Sequence, residues 1–173
     1  MRYIFNICLG IILLVQFATA QNYQLDPSFH HNGYLIHDFG QGPDEAASIA
    51  LLPGGKFLLG GTGWNGGIDF MVARFHADGS PDLSFGSRGR AFIDVSGDDR
   101  LVYIKALPDG KILLAGAANV GDIDGPVAGN FALARCLADG RIDSTFGNNG
   151  RVITTHGIPD NYNNYATAAL VQP

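Results

Sequence analysis

The chain has 173 residues, with 11 basic against 16 acidic side chains, 46% hydrophobic residues, 16% charged residues and 24 glycines. So much glycine beside so much apolar material describes a turn-rich folded domain, and an acidic balance with no Lys/Arg cluster argues against nucleic acid or anionic lipid as partners. Helix formers do not recur at helical spacing beyond the first twenty residues, which points to an all-β protein.

The first element is residues 1–20, "MRYIFNICLGIILLVQFATA". Arg2, an apolar run from Tyr3 to Phe17 and the small residues Ala18-Thr19-Ala20 stand in the order of a secretory signal peptide. The apolar run is shorter than the roughly 18 to 20 residues of a membrane span. Export follows as the expectation, with the mature protein secreted, periplasmic or at the cell surface and free of the membrane. Cys8 lies inside the apolar run, not at the cleavage site, so no lipid anchor is expected. Removal leaves residues 21–173, which is 173 − 20 = 153 residues and one domain. Cys136 is then the single cysteine, so no intrachain disulfide forms, and its run from Phe131 to Leu137 reads as a buried, inert thiol.

Beyond the leader, the first unit reads as four strands: Tyr34 to Phe39, Ala47 to Leu52, Lys56 to Gly60 and Phe70 to His76. The second unit repeats the order as Arg90 to Val95, Leu101 to Leu107, Lys111 to Ala115 and Phe131 to Leu137, and a third begins with Arg151 to Thr155. Gly54-Gly55 and Asp109-Gly110 are dipeptides that two-residue hairpins select, with positive φ at both central positions, so the second and third strands of each unit pair as hairpins. "FLLGG" and "ILLAG" are apolar on successive residues, as in a sheet covered on both faces. In the fourth strand Phe131, Leu133, Arg135 and Leu137 share a bulky face, with Ala132, Ala134 and Cys136 on the small one.

These elements are copies. Asp69 to Gly86 aligned with Asn130 to Gly147 gives nine identities in 18 positions, where average residue usage gives about one. The Phe-turn recurs at Phe29, Phe85 and Phe146, with spacings of 56 and 61, and the units run from about 25–80, 81–141 and 142–173. A four-stranded antiparallel unit that repeats and is covered on both faces is a β-propeller blade in outline; a parallel solenoid is the alternative, although its units are shorter and lack hairpins. The third unit stops after its second strand, which makes about two and a half blades, an incomplete propeller, and suggests a fragment of a longer protein whose further blades would be partners.

The set "PDGKILLAG" (108–116), "NFALARCLADG" (130–140) and "IDSTFGNNGRV" (142–152), with earlier copies at 53–61, 69–79 and 82–92, resembles the delta-60 repeat family of bacterial exported proteins. The resemblance covers nearly all of residues 21–173 and implies a secreted propeller-like repeat protein. It carries no catalytic residue over. His30-His31 and Gly54 depart from the pattern in the first copy, as suits an edge repeat.

Candidate chemistry is weighed against that repetition. Asp26, Asp82 and Asp143, with Phe29, Phe85 and Phe146, recur in every copy, which suits turn formers and core plugs better than a catalyst needed once. Arg74 and Arg135 stand eight residues before Asp82 and Asp143, so a repeated Arg–Asp bridge is expected; an anion-binding ring is the alternative. Asp122-x-Asp124-Gly125 has part of a calcium loop but lacks its remaining ligands, and reads as a solvated turn. His30, His31, His37, His76 and His156 are scattered, and the adjacent His30-His31 points to opposite sides of an extended chain, which reads as surface or turn histidine. Trp64, placed in a glycine-rich loop, is expected to fold back over the sheet edge, with stacking on a carbohydrate or protein as the alternative. No catalytic, cofactor or metal residue is assigned. The function expected is a secreted, non-enzymatic β-repeat scaffold or binding surface for a protein or carbohydrate. The alternative is a propeller-type hydrolase or lactonase with its site at the axis.

Overall fold

Strands form where aromatic and β-branched runs alternate with glycine turns. The computed structural model describes residues 24–39, 42, 44–118, 129–154 and 168–169. The described strands are β1 (Glu45–Leu51), β2 (Phe57–Trp64), β3 (Ile68–Phe75), β4 (Arg90–Ile93), β5 (Arg100–Ala106), β6 (Ile112–Ala118), β7 (Asn130–Cys136) and β8 (Arg151–Thr154). They make two four-stranded sheets, ordered β1-β2-β3-β4 and β5-β6-β7-β8, with every neighbouring pair antiparallel. No α-helix occurs among the described residues. The all-β expectation holds, and internal hairpins rule out the parallel solenoid. The signal segment 1–20 and the Asp122/Asp124 loop lie outside the described residues.

Each sheet takes its fourth strand from the following repeat. β4 follows the Phe85 turn, yet pairs with β3 of the unit before it, Phe70 opposite Ile93 and Ala73 opposite Arg90. β8 pairs with β7 in the same way. This corrects the reading of Tyr34 to Phe39 as a strand: the segment has only an isolated bridge between His31 and Tyr34. Its counterparts β4 and β8 each lie on a strand of the preceding repeat, and no such strand precedes it among the described residues.

The hairpin turns also differ from expectation. Leu52 N–H donates to Lys56 O and Leu107 N–H to Lys111 O, both at 2.8 Å, so each loop holds three residues, with proline first. Gly54, Gly55 and Gly110 have positive φ, but Asp109 does not. Proline's fixed φ suits the first position of this longer turn, leaving only its end to require glycine.

The sheets stack head to tail. One face of the first sheet, with Leu58, Phe70, Val72 and Ile93, packs on the opposite face of the second, with Ile112, Leu114, Ala132, Ala134 and Cys136. The small side chains of β7 make room for Phe70 and Val72, and burial of each large side chain contributes about 1.5–3 kcal/mol. The other face of the first sheet carries Met71 and Phe75 where β7 has Ala132 and Cys136. It is covered by Leu35 and Phe39 of the N-terminal segment, and a thin segment leaves more volume to fill than a second sheet does. β1 and β5 are bulged between Ala46 and Ser48 and between Leu101 and Tyr103. Gly61 and Gly116 sit opposite, where any Cβ would overlap the carbonyl of Glu45 or Arg100.

The Phe-turn joins one sheet to the next. Phe85 is fully buried and lies on Gly140, where a Cβ would come within 2.8 Å of the ring. Phe146 occupies the same place in its own repeat but is only half-buried. Phe85→Ala is therefore expected to cost about 3–5 kcal/mol in urea denaturation, and Phe146→Ala less than half as much.

Candidate functional site

Two charged constellations stand out among the described residues, one duplicated and one occurring once. The duplicated one begins with the turn Asp82-x-Ser84-Phe85. Asp82 Oδ1 accepts from Ser84 N (3.1 Å) and Ser84 Oγ (2.6 Å), an arrangement that folds the backbone over its own side chain. Its other oxygen, Oδ2, accepts from Arg74 Nε at 2.8 Å and Lys56 Nζ at 2.7 Å. The Arg74 guanidinium lies 4.8 Å from the Phe85 ring centre, close enough for cation–π attraction. In the second copy of the arrangement, Asp143 Oδ1 accepts from Thr145 Oγ1 at 2.6 Å. Arg135 Nε reaches Asp143 Oδ2 at 2.8 Å, Lys111 Nζ lies at 3.1 Å, and the Arg135 guanidinium is 4.6 Å from the Phe146 ring. Asp82 and Asp143 are buried.

The expected Arg–Asp bridge is thus present in both copies, each running from the last strand of one unit to the turn that opens the next. The Lys56 and Lys111 hydrogen bonds were not anticipated, although "Pro-x-Gly-Lys" recurs visibly in the sequence. The Lys56 hydrogen bond foremost, with Ser84 and Arg74, holds the Asp82 carboxyl well below the usual carboxylate range. The Thr145 hydroxyl leads for Asp143, with Lys111 and Arg135 adding. Both carboxylates stay ionised and fully engaged, so neither can shuttle a proton near neutral pH.

The unique constellation is Asp69, Asp94 and Asp99, whose nearest carboxylate oxygens all lie within 4.8 Å of one another. Asp69 is the second residue of β3, and the other two flank the link from β4 to β5. That link is tied down by Asp99 N–H to Ile68 O at 2.7 Å and by Ile68 N–H to Asp98 Oδ1 at 3.2 Å. Asp99 is completely buried and accepts from Val95 N at 2.5 Å and Ser96 N at 3.2 Å. Burial, and then the charges of Asp94 and Asp69, raise its pKa to about 6 despite those hydrogen bonds. Asp69 is also raised, by burial first and Asp94 next. Three carboxylates are hard donors of the kind calcium or magnesium takes, but a calcium ion needs about six to eight oxygens. The aligned position in the second repeat is Asn130. This departure from the repeat, together with Asp98-Asp99, was the available sequence signal.

The remaining candidates sit apart. Cys136 is buried as expected, and burial pushes its thiol up to about 12, which leaves it unreactive. His30 and Asn32 have positive φ, so the His pair lies in a turn and not on extended chain, with the two rings edge-on at 4.3 Å. His37 packs edge-on against Phe39 and Phe75. Trp64 belongs to the end of β2, not to the loop, pairs with Ile68, and is 45% exposed.

Residues 53–85 and 107–146 match the family model of a domain of unknown function described as a DUF5122 beta-propeller. The matched stretches take in the Lys–Asp–Phe elements of both copies. No curated protein matches the chain. Fold, internal repetition and this match together define a propeller-like repeat protein, an incomplete propeller of two stacked sheets among the described residues.

The acidic cluster generates a prediction with a definite sign. A carboxyl raised in the folded state contributes stability below the usual carboxylate range, and that contribution is lost as pH rises through about 6 for Asp99. Asp69→Asn, the residue the second repeat already uses, removes one of the repelling charges. In chelator-containing buffer its melting temperature should exceed the parent's by a few degrees at about pH 8, with the gain fading toward about pH 4.

Proposed function

We propose that this chain is an exported, non-enzymatic β-repeat protein of the delta-60 type, part of a longer propeller, that serves as a scaffold or binding surface. The carrying observation is the duplication of the Lys–Asp–Arg–Phe arrangement, with Arg-to-Asp distances of 2.8 Å in both repeats. Chemistry needs its groups once and at one place, whereas a structural joint is needed in every repeat. The leader at 1–20 supports export. The half-exposed Trp64 supplies an aromatic surface suited to a carbohydrate or protein partner.

A second reading, a propeller-type hydrolase or lactonase, rests on the acidic cluster, because Asp69, Asp94 and Asp99 form a set that does not recur among the described residues. An ester and lactone hydrolysis screen with and without calcium separates the two. The scaffold reading expects no turnover above blank in either condition. Calcium-dependent hydrolysis that disappears in Asp69→Asn would select the second.

A further inference from the structure

Six Asn-Gly or Asp-Gly steps lie among the described residues: Asn32-Gly33, Asn65-Gly66, Asp78-Gly79, Asp109-Gly110, Asp139-Gly140 and Asn149-Gly150. Such a step can close on itself, because glycine has no side chain to keep its nitrogen from the carbonyl carbon of the preceding side chain. The closure needs that nitrogen free to lose its proton and to turn. In five of the six it is held. Gly33 N–H donates to Phe29 O at 2.9 Å, Gly79 to His76 O at 3.0 Å, Gly110 to Leu107 O and Gly140 to Leu137 O at 2.9 Å, and Gly150 to Phe146 O at 2.7 Å. The Gly66 amide donates to no acceptor among the described residues.

This free step stands at the tip of the β2–β3 hairpin. Trp64 pairs with Ile68, and Asn65 N–H donates to Gly67 O at 2.9 Å, so the chain reverses within three residues. Gly66 has a φ of 87°, and no atom lies within 4 Å of the place a Cβ would take. Asn65 is exposed, and so is Gly66. Room, an accessible amide and an unbonded nitrogen therefore coincide at this one step.

We propose that Asn65 is a site of spontaneous deamidation, a covalent modification of the hairpin tip beside Trp64. Gly66 N gives its proton to water and bonds to Asn65 Cγ; the Cγ–Nδ2 bond breaks, and the nitrogen leaves as ammonia with a proton returned from water. Water then opens the cyclic imide at either carbonyl. Attack at Cγ leaves an ordinary aspartate, whereas attack at the main-chain carbonyl carbon leaves the backbone running through the β-carbon as an isoaspartate. Both products exchange a neutral amide for a carboxylate. The Asn65 amide favours the ionised form of Asp69, against burial and the charges of Asp94 and Asp98; a carboxylate in its place repels all three. The isoaspartate also lengthens a three-residue loop and disturbs the Trp64–Ile68 pairing. This chemistry stands apart from both functional readings.

Peptide mass spectrometry tests it. The folded chain is held in mildly alkaline buffer, sampled over time, then unfolded and cut with trypsin. Cleavage after Lys56, Arg74, Arg141 and Arg151 places Asn65 in peptide 57–74 and Asn149 in peptide 142–151. Conversion of 57–74 to its aspartyl and isoaspartyl forms should run at least about tenfold faster than conversion of 142–151, because the Gly150 amide reacts only through local opening. In urea, where neither glycine amide is held, the two rates should converge. The proposal is overturned if 142–151 converts as fast as 57–74 in the folded chain, if 57–74 converts only after unfolding, or if the difference between them persists in urea.

Discussion

A carboxylate buried at a turn, held by a guanidinium and an ammonium over a phenyl ring, is the interaction on which both sheets depend. Removed from water alone, Asp82 or Asp143 would be costly in the folded state; gripped by Lys, Arg and a neighbouring hydroxyl, it becomes a fixed point. From that point Asp82 N–H donates to Arg74 O at 2.9 Å and Asp143 N–H to Arg135 O at 2.8 Å. The turn is thereby bound to the end of β3 or β7, and Phe85, three residues on, is aimed at the neighbouring sheet. The ion pair contributes direction, and the buried ring contributes most of the stabilisation.

From this joint follows the polarity of the stack. The first sheet presents its large side chains to the small-residue face of the second, so the sheets pack head to tail and not face to face. Polar contacts reinforce the order: Leu101 N–H donates to Thr62 Oγ1 and Ile104 N–H to Ser48 Oγ, both at 3.2 Å, which satisfies edge amides of β5 with side chains of the first sheet. The borrowed fourth strand adds a covalent tie, because one repeat completes the sheet of another. The N-terminal segment shows the same logic, with Phe29 lying on Gly79 and Phe39 packing on the outer face of the first sheet.

Much of this is legible in the sequence because repetition separates shared roles from local accident. Asp82/Asp143, Arg74/Arg135 and Phe85/Phe146 declare themselves by recurring, and their eight-residue spacing places the ion pair. What is not legible is pairing across repeat boundaries. Nothing in "YLIHDF" distinguishes it from "RAFIDV" locally; among the described residues it has no strand of a preceding repeat to join, as β4 has β3. The three-residue turns elude a reading based on Asp-Gly alone because the preceding proline sets the loop length. The acidic cluster escapes for the opposite reason. Asp69, Asp94 and Asp99 come together only once the β4–β5 link crosses the end of the first sheet, and motif spacing contains no trace of that.

The central claim is that the Phe-turn joins one sheet to the next. Amide hydrogen exchange at Gly86 and Gly147 addresses it most directly, since the two glycines share their local backbone conformation and differ in what lies beyond it. Gly86, bonded to Asp139 O across the joint, should exchange at least about 100-fold more slowly than Gly147 in dilute monomeric protein. Equal exchange at the two positions would mean that the turns do not hold the sheets together.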